Sequence, residues 1–164
     1  MKNEHENMEN QNEGMMKNHY LRLLLMIVLS FASMYVLMYA MVNAFANVFS
    51  NLNQFYMAGL MTAPMILIEI VLMSGMYRNK KLNLAIIAVG LIVLFGFWFL
   101  IRQQVAVSDR QFLKSMIPHH AGAILMCEEA EIIDNEIKQL CNGIINGQNG
   151  EIQQMKEKLN QLEK

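Results

Sequence analysis

One stretch of the chain, SDRQFLKSMIPHHAGAILMCEEA, carries a concentration of side chains that bind soft metal ions. It holds the adjacent histidines His119 and His120, the thioethers of Met116 and Met126, and the thiol of Cys127. Sulfur and imidazole ligands together favour copper(I) and, to a lesser degree, zinc. The stretch therefore predicts a metal site, with copper(I) as the expected ion.

These donors share one face of a predicted helix, because residues three or four apart lie on the same side. The predicted seam consists of Phe112, Met116, His120, Ala123, Cys127 and Ala130. The alternative is a packed core, since Met and Cys on an apolar helix face are usually buried for their volume. Buried imidazoles cost free energy unless they are hydrogen-bonded or ligated, which favours the metal site.

A second amphipathic helix follows, so residues 103–164 are predicted to form a helical hairpin. Its apolar seam alternates steps of four and three, at Ile137, Cys141, Ile144, Gln148, Ile152, Met155, Leu159 and Leu162. Ser108 and Gln111 have the spacing of a capping box for the first helix. Asp134 and Asn135 are expected to form the turn.

Folding the hairpin at this turn sets the register of its two helices. Cys127 then lies level with Cys141, and His120 faces Gln148. The cysteines are expected either to form a disulfide in an oxidising exterior or to be protected by a metal ion. The candidate metal ligands are His119, His120, Met116, Met126, Met155, Cys127 and Cys141.

The preceding part of the chain is predicted to cross a membrane three times, within residues 21–102. Apolar stretches over residues 21–46, 55–77 and 83–101 are long enough for a bilayer, which needs about 20 residues. A cleaved signal peptide is the alternative for the first stretch. Its apolar core exceeds the roughly 7–15 residues of such a peptide, so we favour a retained helix. The polar segment of residues 1–20 is expected to be disordered.

The distribution of Lys and Arg predicts the orientation in the membrane. Arg78, Lys80 and Lys81 place the loop after the second span in the cytoplasm, and Lys17 and Arg22 place the N-terminus there. Three crossings then put the hairpin on the extracytoplasmic side of the cell membrane, together with the uncharged loop that follows the first span.

A second methionine pattern lies within the predicted spans. We expect packing to explain it, because Met is common in apolar helices, and a copper(I) route is the alternative. Glu69 lies near the middle of the second span, where an ionisable group marks a functional site by default. The possible transmembrane metal path comprises Met34, Met38, Met57, Met61, Met65, Glu69 and Met73. Gly90 and Gly96 are expected to allow close helix approach in the third span.

Composition excludes several functions. The net charge of -1 and the lack of a basic stripe argue against nucleic-acid binding. An E-x-x-H motif, which the di-iron site of ferritin-like oxidases requires, does not occur in the sequence. No Ser/His/Asp or Cys/His nucleophile arrangement is evident, so we predict that the protein is not an enzyme.

The hairpin resembles the family known as domain of unknown function 305. The resemblance follows the pattern D-x-x-F-x-x-x-M-I-P-H-H, then A-I-x-M, D-x-E-I, I-I and Q-x-x-E-I-x-x-M, over residues 109–155. The matching residues are Asp109, Phe112, Met116, Ile117, Pro118, His119, His120, Ala123, Ile124, Met126, Asp134, Glu136, Ile137, Ile144, Ile145, Gln148, Glu151, Ile152 and Met155. The resemblance implies a ferritin-like helical bundle and copper binding through Met and His. The long apolar N-terminal half departs from the soluble, secreted members of that family.

The expected protein is therefore all-α, with three transmembrane helices followed by an extracytoplasmic two-helix hairpin that forms half of a ferritin-like bundle. Its expected role is copper(I) sequestration or delivery. The alternatives are a metal-free, membrane-anchored assembly module and a small copper transporter. A hairpin of about 55 residues has a small core, so we predict that two hairpins pair as a homodimer to complete a four-helix bundle.

Overall fold

The protein is mainly helical in the part of the chain that the structure, a computed structural model, describes: residues 2–162, with side chains from residue 18 onward. These residues form α-helices and 3-10 turns without a strand, which confirms the all-α prediction. The α-helices are α1 (Lys2–Leu37), α2 (Leu52–Leu72), α3 (Lys80–Arg102), α4 (Asp109–Glu129) and α5 (Asn135–Leu162), with 3-10 turns at Met38–Met41 and Phe45–Asn47.

Among the residues that the structure describes, three helical segments are long and apolar enough to cross a membrane. They are Asn18–Met41, Leu52–Leu72 and Lys80–Arg102. Their limits differ by a few residues from the predicted spans, because helix ends depend on capping as well as on hydropathy. The N-terminus differs more: α1 begins at Lys2, whereas we expected residues 1–20 to be disordered. Glu, Gln, Lys and Met are strong helix formers, and the polar segment continues directly into the first apolar stretch.

The chain divides into two compact units. One, here called the span unit, comprises the chain up to Met34 together with Tyr56–Gln103. The other, here called the hairpin unit, comprises Tyr35–Phe55 and the chain from Gln104 onward. The hairpin unit thus contains the loop between α1 and α2 as well as α4 and α5.

The span unit is held together by apolar packing and close helix approach. Leu23, Ile70 and Tyr77 form its buried cluster. A side chain at Gly90 would place its Cβ 2.8 Å from Leu67, so the predicted close approach at this glycine is confirmed. The same prediction for Gly96 is wrong, because no atom lies within 4 Å of the position that its Cβ would take.

The hairpin unit has its core between α4 and α5. Ile117, Ala121 and Ile124 on α4 are fully buried and pack with Ile152 and Leu159 on α5. The buried face of α4 is therefore rotated from the predicted seam by about one residue, or about 100° around the helix axis. His120 belongs to both faces, whereas Phe112 and Ala130 of the predicted seam are exposed. The reason is that α4 is covered on two sides, by α5 and by the α1–α2 loop.

The loop between α1 and α2 is an integral part of the hairpin unit. Val42 and Phe49 pack against the α4–α5 core. Gly122 lies close to the loop backbone, since an added Cβ would be 3.3 Å from the carbonyl oxygen of Met41. Tyr39 Oη donates a hydrogen bond of 2.8 Å to the carbonyl oxygen of Phe49, which closes the loop on itself. The loop thereby supplies part of the second layer that the hairpin needs.

Helix capping differs from the predicted capping box. Ser108 occupies the N-cap position of α4 but its side chain makes no capping hydrogen bond. The Gln111 Oε1 atom instead accepts a hydrogen bond of 3.0 Å from the backbone N–H of Leu52, in the first turn of α2. The Asp134 Oδ1 atom caps α5 by accepting hydrogen bonds from the backbone N–H groups of Glu136 and Ile137. The turn between the helices therefore ends at Asp134, and Asn135 is the first residue of α5.

Candidate metal centre

His120 is the predicted ligand that the fold holds most firmly. Its Nδ1 lies 2.9 Å from the carbonyl oxygen of Met116, one turn earlier on α4. Its Nε2 lies 2.6 Å from Glu151 Oε2 on α5. The His120 side chain is 11% exposed and that of Glu151 is 60% exposed, so the contact connects the core to the surface.

The two contacts of His120 give both of its ring nitrogens a hydrogen-bond partner. A carbonyl oxygen only accepts hydrogen bonds, so Nδ1 donates to the Met116 carbonyl. This arrangement satisfies a buried imidazole that would otherwise be costly.

The other candidate sulfur and imidazole ligands lie at different depths in the hairpin. His119 is exposed, and its ring centre is 6.0 Å from that of His120. Met116 and Met155 are half-buried, and Met155 packs against the apolar core. Met126 is exposed on the far part of α4. His120 is therefore buried, Met155 packs against the core, Met116 is partly covered, and His119 and Met126 are exposed.

The predicted register of the two cysteines is confirmed. Cys127 and Cys141 form a disulfide, with their Cα atoms 5.3 Å apart. A disulfide has no thiolate, the form in which cysteine binds metal. These two predicted ligands are thus available to an ion only in the reduced protein.

Glu151 is the residue that the sequence reasoning missed. The predicted register placed His120 opposite Gln148, and the hydrogen bond of His120 Nε2 goes to Glu151, three residues further along α5. Glu151 belongs to the Q-x-x-E-I-x-x-M pattern and is adjacent to Ile152 of the core, so its position in the motif was the available signal. Among residues 18–162, whose side chains the structure describes, no three His, Cys, Asp or Glu side chains group closely enough to share an ion.

The methionines of the proposed transmembrane path differ in their exposure. Met57, Met61 and Met73 are exposed on the surface of α2 and the turn after it. Met65 and Met34 are half-buried. The copper route remains a prediction that metal flux into vesicles tests.

Glu69 of α2 has a hydrogen-bond partner within the span unit. The Tyr77 hydroxyl donates a hydrogen bond of 3.2 Å to Glu69 Oε1. Tyr77 is itself buried and accepts a hydrogen bond at its carbonyl oxygen from Asn83 Nδ2, at 2.6 Å. Hydrogen bonding of this kind is the structural alternative to a role in ion transport.

Comparison with known proteins identifies the family. The sequence model of Domain of unknown function (DUF305) matches residues 99–159. The chain is also 35% identical to the Uncharacterized protein L153 of Acanthamoeba polyphaga mimivirus over 136 residues, which cover 81% of this chain and 88% of that protein. The chain belongs to the DUF305 family.

The match to L153 extends the relationship beyond the family domain. An alignment of 136 residues is longer than the domain at residues 99–159, so the similarity includes part of the apolar N-terminal half of this DUF305 protein. No solved structure matches the chain.

Proposed function

We propose that this DUF305 protein is a multi-pass membrane protein that binds copper(I) with its extracytoplasmic hairpin and sequesters the ion or delivers it to a partner. The observation that carries the proposal is the orientation of His120. Metal-binding histidines usually donate one ring N–H to a carbonyl or carboxylate, which fixes the tautomer and leaves the other nitrogen for the metal. Met116 provides such a carbonyl at 2.9 Å, and the opposite nitrogen, Nε2, points to α5.

The donor set around this imidazole supports copper(I). Met155 packs against the hairpin core, Met116 is half-buried one turn before His120 on α4, and His119 is the exposed neighbour of His120. Thioether and imidazole groups are soft ligands of the kind that select copper(I). In this arrangement His119 and Met126, being exposed, are the first groups that an arriving ion meets.

The proposed topology has support that is independent of the positive charges. The α1–α2 loop packs on α4, so this loop and the hairpin lie on the same side of any membrane that the chain spans. Two potential spans, α2 and α3, separate the loop from the hairpin along the chain. An even number of crossings returns the chain to the same side, as the proposal requires.

A competition titration of the full-length protein tests the proposal. The protein is purified in detergent, and copper(I) is titrated against a competing chelator. The double variant His119→Ala/His120→Ala is expected to lose at least about tenfold in copper(I) affinity, or about 1.4 kcal/mol. His19→Ala, a histidine in the other unit, is the control and is expected to bind as the parent does. Circular dichroism checks that the helix content is retained.

A metal-free assembly module is the second candidate, and the His120–Glu151 contact favours it. This contact and the bond to Met116 satisfy both ring nitrogens without an ion. The same titration separates the two candidates. Copper(I) affinity that is equally weak in the parent and in the double variant would support the assembly module and contradict copper handling.

A further inference from the structure

An orphaned amide oxygen lies on the face of α5 that packs against α4. Gln148 Oε1 is buried and has no hydrogen-bond partner. A buried acceptor without a partner costs roughly 1–3 kcal/mol, and such groups in folded proteins usually face a water, an ion or a donor. The methionine and histidine chemistry of the proposed function does not use this oxygen.

The disulfide places Gln148 level with His120. The Cα atoms of Cys127 and Cys141 are 5.3 Å apart, so the two helices are in register there. His120 lies seven residues before Cys127, and Gln148 lies seven residues after Cys141. Both positions are thus about 10 Å along their antiparallel helices from the disulfide. Glu151 is three residues beyond Gln148 and therefore on the same side of α5.

The register thus places three donors of nitrogen and oxygen type within about one helical turn of each other along the hairpin. Nε2 of His120 is directed at α5 and already lies 2.6 Å from the Glu151 carboxylate. The bond from Nδ1 to the Met116 carbonyl holds the ring in place. The carboxylate supplies a negative charge, and Gln148 Oε1 supplies a neutral oxygen. Such a set suits a borderline divalent cation better than copper(I), which prefers sulfur.

We propose that His120, Glu151 and Gln148 form a site for a divalent cation of the zinc(II) type, in which the ion replaces the hydrogen bond between His120 and Glu151. The inference rests on the proposed function in one respect, since both use His120. The zinc site differs from the proposed copper(I) site in the class of ion and in its ligands from α5, which are Glu151 and Gln148. Zinc bound in this way has nitrogen and oxygen ligands at about 2.0–2.2 Å, whereas thioether and thiolate sulfur lies near 2.3 Å or beyond.

Zinc(II) titration of the full-length, disulfide-bonded protein in detergent tests the site, with the free ion set by a chelator buffer. The expected result is one zinc per chain, with at least tenfold weaker binding in Glu151→Gln and a measurable loss in Gln148→Leu. Glu157→Gln changes an exposed carboxylate on the same helix and is expected to bind as the parent does. X-ray absorption at the zinc edge is expected to show nitrogen and oxygen neighbours.

Three outcomes overturn the inference: no zinc binding by the parent, parent-like affinity in both Glu151→Gln and Gln148→Leu, or sulfur as the dominant zinc neighbour. If Glu151→Gln loses helix content, Gln148→Leu decides. Copper(I) is titrated alongside. Zinc binding without copper(I) binding in the parent contradicts the proposed function alone, and the reverse contradicts this inference alone.

Discussion

At the scale of single residues, side chains of the same type in the hairpin differ widely in burial. His119 and His120 are adjacent, yet only His120 is buried and hydrogen-bonded at both ring nitrogens. Ile117 and Ile133 are both β-branched, yet Ile117 is fully buried and Ile133 is 89% exposed. Position relative to the packed layers, rather than residue type, decides what each side chain contributes.

Replacement of Ile117 by Ala is expected to destabilise the hairpin by about 3 kcal/mol, because it removes buried methyl groups and leaves a cavity. Ile133→Ala, the matched control, is expected to change stability by less than about 0.5 kcal/mol. Hydrogen exchange of the α4 amides in the full-length protein measures both values. Equal effects of the two substitutions would show that Ile117 does not lie in the core.

At the scale of elements, the α1–α2 loop and the hairpin form one structural unit. Gln111 of α4 accepts from the first turn of α2, and Val42 and Phe49 complete the hairpin core. Asn53 Nδ2 adds hydrogen bonds to Gln104 Oε1 and Ser115 Oγ, at 2.9 and 3.2 Å. A hairpin expressed without this loop therefore lacks part of its second layer, which is why the binding experiments above use the full chain.

The substitution Gly122→Leu is expected to separate the loop from α4, because even a Cβ at this position would lie 3.3 Å from the carbonyl oxygen of Met41. Overpacking of this kind typically costs about 1–3 kcal/mol. Amide exchange in the peptide that covers residues 41–52 is expected to become at least about tenfold faster. Gly147→Leu is the control, since no atom lies within 4 Å of its added Cβ. Unchanged exchange in Gly122→Leu would contradict the loop packing.

At the scale of the whole molecule, the proposed topology puts the loop and the hairpin outside and the turn after α2 inside. Labelling of single introduced cysteines tests this topology. Each cysteine is placed in a Cys127→Ser/Cys141→Ser background, and intact cells are treated with a membrane-impermeant maleimide. Phe45→Cys, at a residue that is 91% exposed, and Lys158→Cys are expected to react. Arg78→Cys is expected to stay unlabelled, because its loop carries the positive charges that favour the cytoplasm. Labelling of Arg78→Cys alone would invert the topology.

The homodimer remains a prediction, but the reason given for it has changed. We expected the hairpin to need a second copy as its second layer, and the α1–α2 loop already covers part of it. The outer face of α5 still has an exposed Leu140 beside Gly143 and Gly147, which have open space around them. A dimer is expected by light-scattering mass in detergent, and Gly147→Cys in the cysteine-free background is expected to crosslink to itself. A monomeric mass would show that the loop alone completes the unit.

The sequence by itself determined the helices, the three potential spans, the hairpin and the level of its two cysteines. These features depend on local hydropathy and on a register that one turn sets, so they can be read from periodicity along the chain. Tertiary structure decided which face of α4 is buried, because that face depends on the α1–α2 loop, some 70 residues earlier in the chain. It also decided that the hydrogen bond of His120 Nε2 goes to Glu151. A rotation of about 100° about a helix axis moves a side chain from core to surface, and hydrophobic periodicity does not resolve one residue when Met, Cys, Ile and Ala line adjacent faces.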